Sequence, residues 1–121
     1  MTEEARLRAE NGRMTRQARV ALIKGDGIGI DVAEAAMQVA QAAGRHVGVP
    51  ALKIEEIQAG AGYFAETGRD IEPGGEERAE EADAIFLGAI GLPSIRHADG
   101  TEISPHLRLR DRFRLYAGIR P

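Results

Sequence analysis

Two groups of residues in this sequence have the types and spacing to do chemistry. The first is Gly25, Asp26, Gly27, Ile28 and Gly29, which follow an apolar run and precede residues at helical spacing. Backbone N–H groups in such a loop, at the positive end of a helix, can face an anion. The same residues also make a tight structural turn, and the string alone does not decide between the two. It lacks the third small residue of the dinucleotide fingerprint, because Ile30 stands there. It also lacks the Gly-Lys-Ser/Thr of a P-loop. The second group is Arg108, Arg110, Arg112, Arg114 and Arg120. A guanidinium never loses its charge and offers paired donors that match a carboxylate. A solvated basic face over Arg108, Arg110, Arg112 and Arg114 is the alternative reading. In a completed enzyme, replacing Arg108 or Arg112 by Lys is expected to be nearly neutral, because exposed charges of this kind contribute little. Asp26 is read as fixing the turn rather than binding a metal, since no second carboxylate or histidine stands close beside it. His46 and His97 lie in polar text and are expected to be exposed, whereas His106, next to the arginines, has a functional alternative.

These residues need elements to hold them. Val20, Ala21, Leu22 and Ile23 form a continuous apolar run, as in a strand covered on both faces. Asp31 with Glu34 resembles a capping box. Val32, Ala36, Val39, Ala40 and Ala43 then recur on one helical face, and Gly44 suits the stop. Residues 52–57 predict a second strand, and residues 63–66 a single helical turn. Pro73 is placed at the first position of a short helix through the acidic segment 76–81. Ala84, Ile85, Phe86 and Leu87 predict a third buried strand. A loop over 89–101 leads to a helix over 104–114 and then a strand. The resulting order, βαβ(α)β, predicts an α/β fold with a parallel sheet. Residues 1–18 read as a charged N-terminal tail and 19–121 as the folded part.

At 121 residues one domain is expected. With 3 Phe, 2 Tyr and no Trp, the interior must be filled by Ala, Ile, Leu and Val, which bury less area per side chain. A net charge of -3 argues against a nucleic-acid or anionic-membrane partner. The sequence holds no cysteine, so disulfides and thiolate chemistry are excluded, and a cytoplasmic location is expected. No apolar run approaches membrane-spanning length.

The strings ALIKGDGIGIDV (21–32), ADAIFLGAIGLP (82–93) and SPHLRLRDRFRLYAGIRP (104–121) resemble the opening of the metal- and NAD(P)-dependent β-decarboxylating dehydrogenases, the isocitrate and isopropylmalate dehydrogenase family. The resemblance covers Val20 to Pro121. It implies the first part of an isopropylmalate-dehydrogenase-like large domain, not a Rossmann fold. It further implies that Arg110 and Arg120 bind carboxylates of a small-molecule 2-hydroxy acid and that Ser104 touches this substrate. Ile28, Gly91, Leu92 and Pro93 are implied to lie beside NAD or NADP. By the same resemblance, the Mg or Mn ligands and the catalytic acid and base lie outside this chain, some on a second subunit of a homodimer. No catalytic or metal-binding residue is therefore expected here, and the chain alone is expected to be inactive. Two positions depart from the family pattern. His106 stands where isopropylmalate-type members carry a leucine, which argues against isopropylmalate, and Ile30 stands where a proline is usual. The alternative is a non-catalytic nucleotide- or carboxylate-binding module, or a fragment acting through an open sheet edge.

Overall fold

In a computed structural model, which describes residues 2–6 and 16–121, the chain forms a three-stranded sheet with helices on both faces. The elements run β1 (Arg19–Gly25), α1 (Ile28–Val47), β2 (Lys53–Glu56), α2 (Ala61–Thr67), α3 (Gly75–Glu81), β3 (Ala84–Ala89) and α4 (Pro105–Arg112). The strand order is β2-β1-β3 and both pairings are parallel, with Val20 opposite Ile54 on one side and Ala84 on the other. The fold is therefore α/β with a parallel sheet, as the order of elements predicts. Residues 3–6 are helical, and residues 1 and 7–15 of the expected tail lie outside the described residues.

The central strand explains itself. Val20, Ala21, Leu22 and Ile23 are all buried because β1 has a neighbour on each side and helices over each face. On one face Leu22 packs with Ala33 and Met37 of α1, joined by Ile54 and Phe86. On the other, Ala21 and Ile23 meet Ile57, Ala59, Ile71, Ala79 and Leu109. The core is built of small and aliphatic residues, as the scarcity of aromatics requires. β3 differs from expectation. Among the described residues it is an edge strand, so its apolar run is only partly covered and Leu87 is exposed.

Helix α1 is real but out of phase with the expected one. It starts at Ile28, with Gly27 at its N-cap and no side-chain cap, so Asp31 sits inside the first turn, where a carboxylate still favours the positive helix end. It runs past Gly44 and stops at left-handed Gly48. There the Gly48 and Val49 N–H groups return to the carbonyls of Arg45 and Gly44. Its buried face is Gly29, Ala33 and Met37, while Val32 and Val39 are 54% and 69% exposed. The reason is steric. A Cβ at Gly29 would stand 2.5 Å from the Ala89 nitrogen and 2.6 Å from the Lys24 carbonyl oxygen. Only the face carrying that glycine can lie so close to the sheet.

Smaller differences have local causes. Helix α2 extends to two turns. Helix α3 begins at Gly75, after left-handed Gly74, so Pro73 precedes the helix instead of opening it. Pro105 does open α4, where its missing N–H costs no helical bond. The strand expected after Arg114 does not form, and residues 115–121 have no regular structure and pair with no strand. His97 is half-buried, edge-on to Phe64 with ring centroids 5.0 Å apart, rather than exposed. No helix among the described residues is long and apolar enough to cross a membrane.

Candidate functional site

In open α/β sheets, ligands bind beyond the carboxyl ends of the parallel strands. Here those ends bring together the 25–29 loop after β1, the 57–60 segment after β2 and the 90–93 segment after β3. The glycine loop is first a packing device. A Cβ at Gly25 would lie 2.0 Å from the Ala89 carbonyl oxygen, and one at Gly88 would lie 2.1 Å from that of Lys24. Its donors are also largely engaged. The Asp26 N–H donates to the Ala89 carbonyl, Gly29 to Asp26 and Ile30 to Gly27. What the loop still offers a ligand is the start of α1 at Gly27 and Ile28, whose side chain is 72% exposed.

Asp26 is the buried polar residue of this region, 6% exposed. Its Oδ2 accepts the N–H groups of Ala61 and Gly91, and its Oδ1 accepts that of Gly62, each at 2.8 Å. This supports the reading of Asp26 as a structural acid. Among the described residues no group of three or more His, Cys, Asp or Glu could hold a metal ion.

The positions implied to adjoin a cofactor fall around this hub. Gly91 is tethered to Asp26, and the Ile95 N–H closes a turn onto the Leu92 carbonyl. A Cβ on Gly27 would be 4.0 Å from a Leu92 methyl, so the glycine loop and the 91–93 turn are neighbours. Between them and α2 lies a cleft of about 320 Å³, lined by Gly25, Asp26, Gly27, Gln58, Tyr63 and Leu92 among others. A second hollow, of about 210 Å³, opens behind Gly91, Leu92 and Pro93 toward Arg96 and Glu102.

The arginines divide by helix face. Pro105 and Leu109 of α4 are buried, and Arg108 and Arg112, one turn apart, turn toward α3. Arg108 grips Asp70 with two bonds of 2.7 and 2.9 Å and reaches Glu76 through Nε. Arg112 binds Glu76 at 2.7 Å and Glu80 at 3.0 Å. The Arg108 guanidinium holds the carboxyls of Asp70 and Glu76 below their ordinary values, and those acids in turn raise the pKa of Arg108. Neither arginine is thus the free, solvated charge that the basic-face reading supposes. Arg110 lies on the opposite flank, exposed, and has no side-chain hydrogen bond or ion pair among the described residues. The same holds for Arg120, in the irregular segment 115–121. Ser104 precedes α4 and its hydroxyl donates to the Glu102 carbonyl at 3.1 Å, which leaves its oxygen able to accept. His106, one turn before Arg110, is half-buried, with Nδ1 enclosed and unbonded.

Sequence reasoning missed the α3–α4 ion network and the reach of Asp26. The first had a signal: acids at 76, 77 and 80 and arginines at 108 and 112 are each spaced to share a helix face. The second had none, because a carboxylate bonding to backbone N–H groups leaves no mark on its partners' identities.

Comparison with known proteins bears on what this arrangement belongs to. Residues 19–121 match the isocitrate/isopropylmalate dehydrogenase family. A 3-isopropylmalate dehydrogenase of Moorella thermoacetica is 34% identical over 106 residues, covering 85% of this chain and 29% of that protein. A probable tartrate dehydrogenase/decarboxylase of Agrobacterium vitis is 32% identical over 88% of this chain and 29% of its own length. A decarboxylating D-malate dehydrogenase of Escherichia coli is 32% identical over 89% and 30%. The chain thus spans a little under a third of each of these relatives. With the parallel sheet, the glycine loop and the arginine helix all inside the matched region, the chain belongs to the isocitrate/isopropylmalate dehydrogenase family.

Proposed function

We propose that this chain supplies the N-terminal part of an enzyme that oxidises and decarboxylates a small 2-hydroxy acid with NAD or NADP and a divalent metal, Mg or Mn. The observation that carries the reading is the division of α4. Arg108 and Arg112 are occupied by acids of the chain itself, whereas Arg110 presents an unpaired guanidinium. In this reading Arg110 and Arg120 each hold a substrate carboxylate through paired donors, a geometry that a lysine cannot reproduce. The Ser104 oxygen accepts a hydrogen bond from the substrate. His106 lies beside the substituent that distinguishes one 2-hydroxy acid from another. Its polar ring suits a small or hydroxylated group, as in malate or tartrate, better than a branched alkyl group.

Ile28, Gly91, Leu92 and Pro93 form the wall for the nicotinamide cofactor, which when bound accepts the hydride from the substrate carbinol. Among the described residues no group of three or more His, Cys, Asp or Glu could hold a metal ion by itself. The acid and base of the reaction and the metal ligands belong, in this proposal, to the remainder of a cytoplasmic homodimeric enzyme.

The test is to join residues 19–121 to the complementary remainder of one of the relatives. The joined enzyme should reduce NAD(P) in the presence of Mg²⁺ or Mn²⁺ with at least one of malate, tartrate or isocitrate, and the chain by itself with none. Metal-dependent turnover by the chain alone, or a folded joined enzyme that binds neither cofactor nor acid, contradicts the proposal.

A further inference from the structure

We infer that the Asp26 carboxylate is a positioning residue: it ties the 91–93 turn to the start of α2, so that these two loops at the strand ends open and close as one unit. Its three partners come from segments 35, 36 and 65 residues away in sequence, and all three are backbone N–H groups held at 2.8 Å. Gly91 has little else to hold it. It is exposed, has φ 121, and a Cβ on it would meet nothing within 4 Å. The Asp26 end of the tether is enclosed. A Cβ on Gly60 would lie 2.7 Å from Oδ2, and one on Gly62 would lie 3.3 Å from Oδ1. Oδ2 is shared by Ala61 and Gly91, so losing either donor leaves a buried carboxylate short of hydrogen bonds, which it regains by turning toward water and releasing the other N–H as well. The two loops therefore share one opening event. A ligand that holds the 91–93 turn must then also steady the first turn of α2, and the reverse follows by linkage. This last step rests on the reading that a nicotinamide nucleotide lies at that turn.

Amide hydrogen exchange on the 121-residue chain tests the inference. In the unaltered chain, Gly91, Ala61 and Gly62 should have protection factors within about threefold of one another, as expected for a shared opening. In Asp26→Ala all three should fall by about tenfold or more while Leu22 and Ile23 in β1 stay protected, a loss in the range expected for charged hydrogen bonds. Asp26→Asn keeps the volume but only one acceptor oxygen, so protection at all three should recover only in part. A role of mere volume would give full recovery and overturn the inference. Free exchange of Gly91 in the unaltered chain overturns the inference, and so does unchanged protection in Asp26→Ala with β1 intact. If Asp26→Ala does not fold, the shared protection in the unaltered chain decides. Adding NADH should slow exchange at Gly91, Ala61 and Gly62 together. Slowing at Gly91 alone overturns the coupling. No slowing at any site counts against the nucleotide reading, while the shared protection still decides the tether.

Discussion

Arg108 and Arg110 stand two residues apart on α4 and do different physical work. Arg108 joins α4 to Asp70 and to Glu76 of α3 through three bonds, and Arg110 makes no side-chain hydrogen bond or ion pair among the described residues. The Arg108 side chain is partly exposed, so solvent screens its pairing, but the bidentate geometry and shared acids make it stronger than an isolated surface pair. Arg108→Ala should lower stability by about 1 kcal/mol, a fall of roughly 4–8 °C in Tm for a domain near this size. Arg110→Ala should leave Tm within about 2 °C, as for a surface substitution away from any contact. Thermal unfolding of the two variants checks both. The same network sets a pH dependence. Asp70 and Glu76 have ordinary values of 3.8 and 4.5 and are held lower in the folded chain, chiefly by Arg108. The unfolded chain therefore takes up protons first as pH falls. The stability they contribute is present above about pH 5 and is lost as pH drops through their lowered folded values. Urea midpoints between pH 6 and pH 3 should fall in the unaltered chain and fall less in Arg108→Ala.

At the scale of elements, close approach rather than hydrophobicity decides how α1 lies. Helix α1 has two apolar stripes, one through Ala33 and Met37 and one through Val32 and Val39, and the more hydrophobic stripe is the exposed one. Gly29 and Gly88 allow α1 and β3 to approach Lys24 and Ala89 within distances that no Cβ tolerates. Gly29→Ala and Gly88→Ala should each cost about 1–3 kcal/mol or more, because backbone atoms cannot yield as a flexible side chain can. Gly100→Ala meets no atom, and its cost should be limited to the strain of its positive φ. Chemical denaturation of the three variants orders them. This also explains what was legible in the sequence. The β1 run was, because a strand with two parallel neighbours must be apolar throughout. The period of α1 was legible but its phase was not, because the deciding contact is between backbones. The strand expected after Arg114 was not legible, because apolar residues such as Leu115 and Ile119 do not by themselves supply a pairing partner. Arg110 was singled out by resemblance, and the reason it differs from Arg108 appears only when the acids across from α4 are placed.

For the whole molecule, the described residues leave β2 and β3 as open parallel edges and expose Ile28, Val32, Val39, Val47 and Leu87. Unpaired strand edges and contiguous apolar side chains favour association. The isolated chain should therefore sediment as a mixture whose mean mass rises with concentration, and a single monomeric species at all concentrations would contradict this. The central claim concerns the arginines in a complete enzyme. Steady-state kinetics of Arg108→Lys, Arg110→Lys, Arg112→Lys and Arg120→Lys, in residues 19–121 joined to the remainder of a relative, tests it most directly. Lysine keeps the charge and removes the paired donors, so kcat/KM for the accepted 2-hydroxy acid should fall by on the order of tenfold to a thousandfold at Arg110 and Arg120. At Arg108 and Arg112 the change should appear in Tm and leave kcat/KM within about threefold, as for groups that act on stability alone. Equal losses of kcat/KM at all four positions would mean a general basic surface and would contradict the assignment of Arg110 and Arg120 to the substrate.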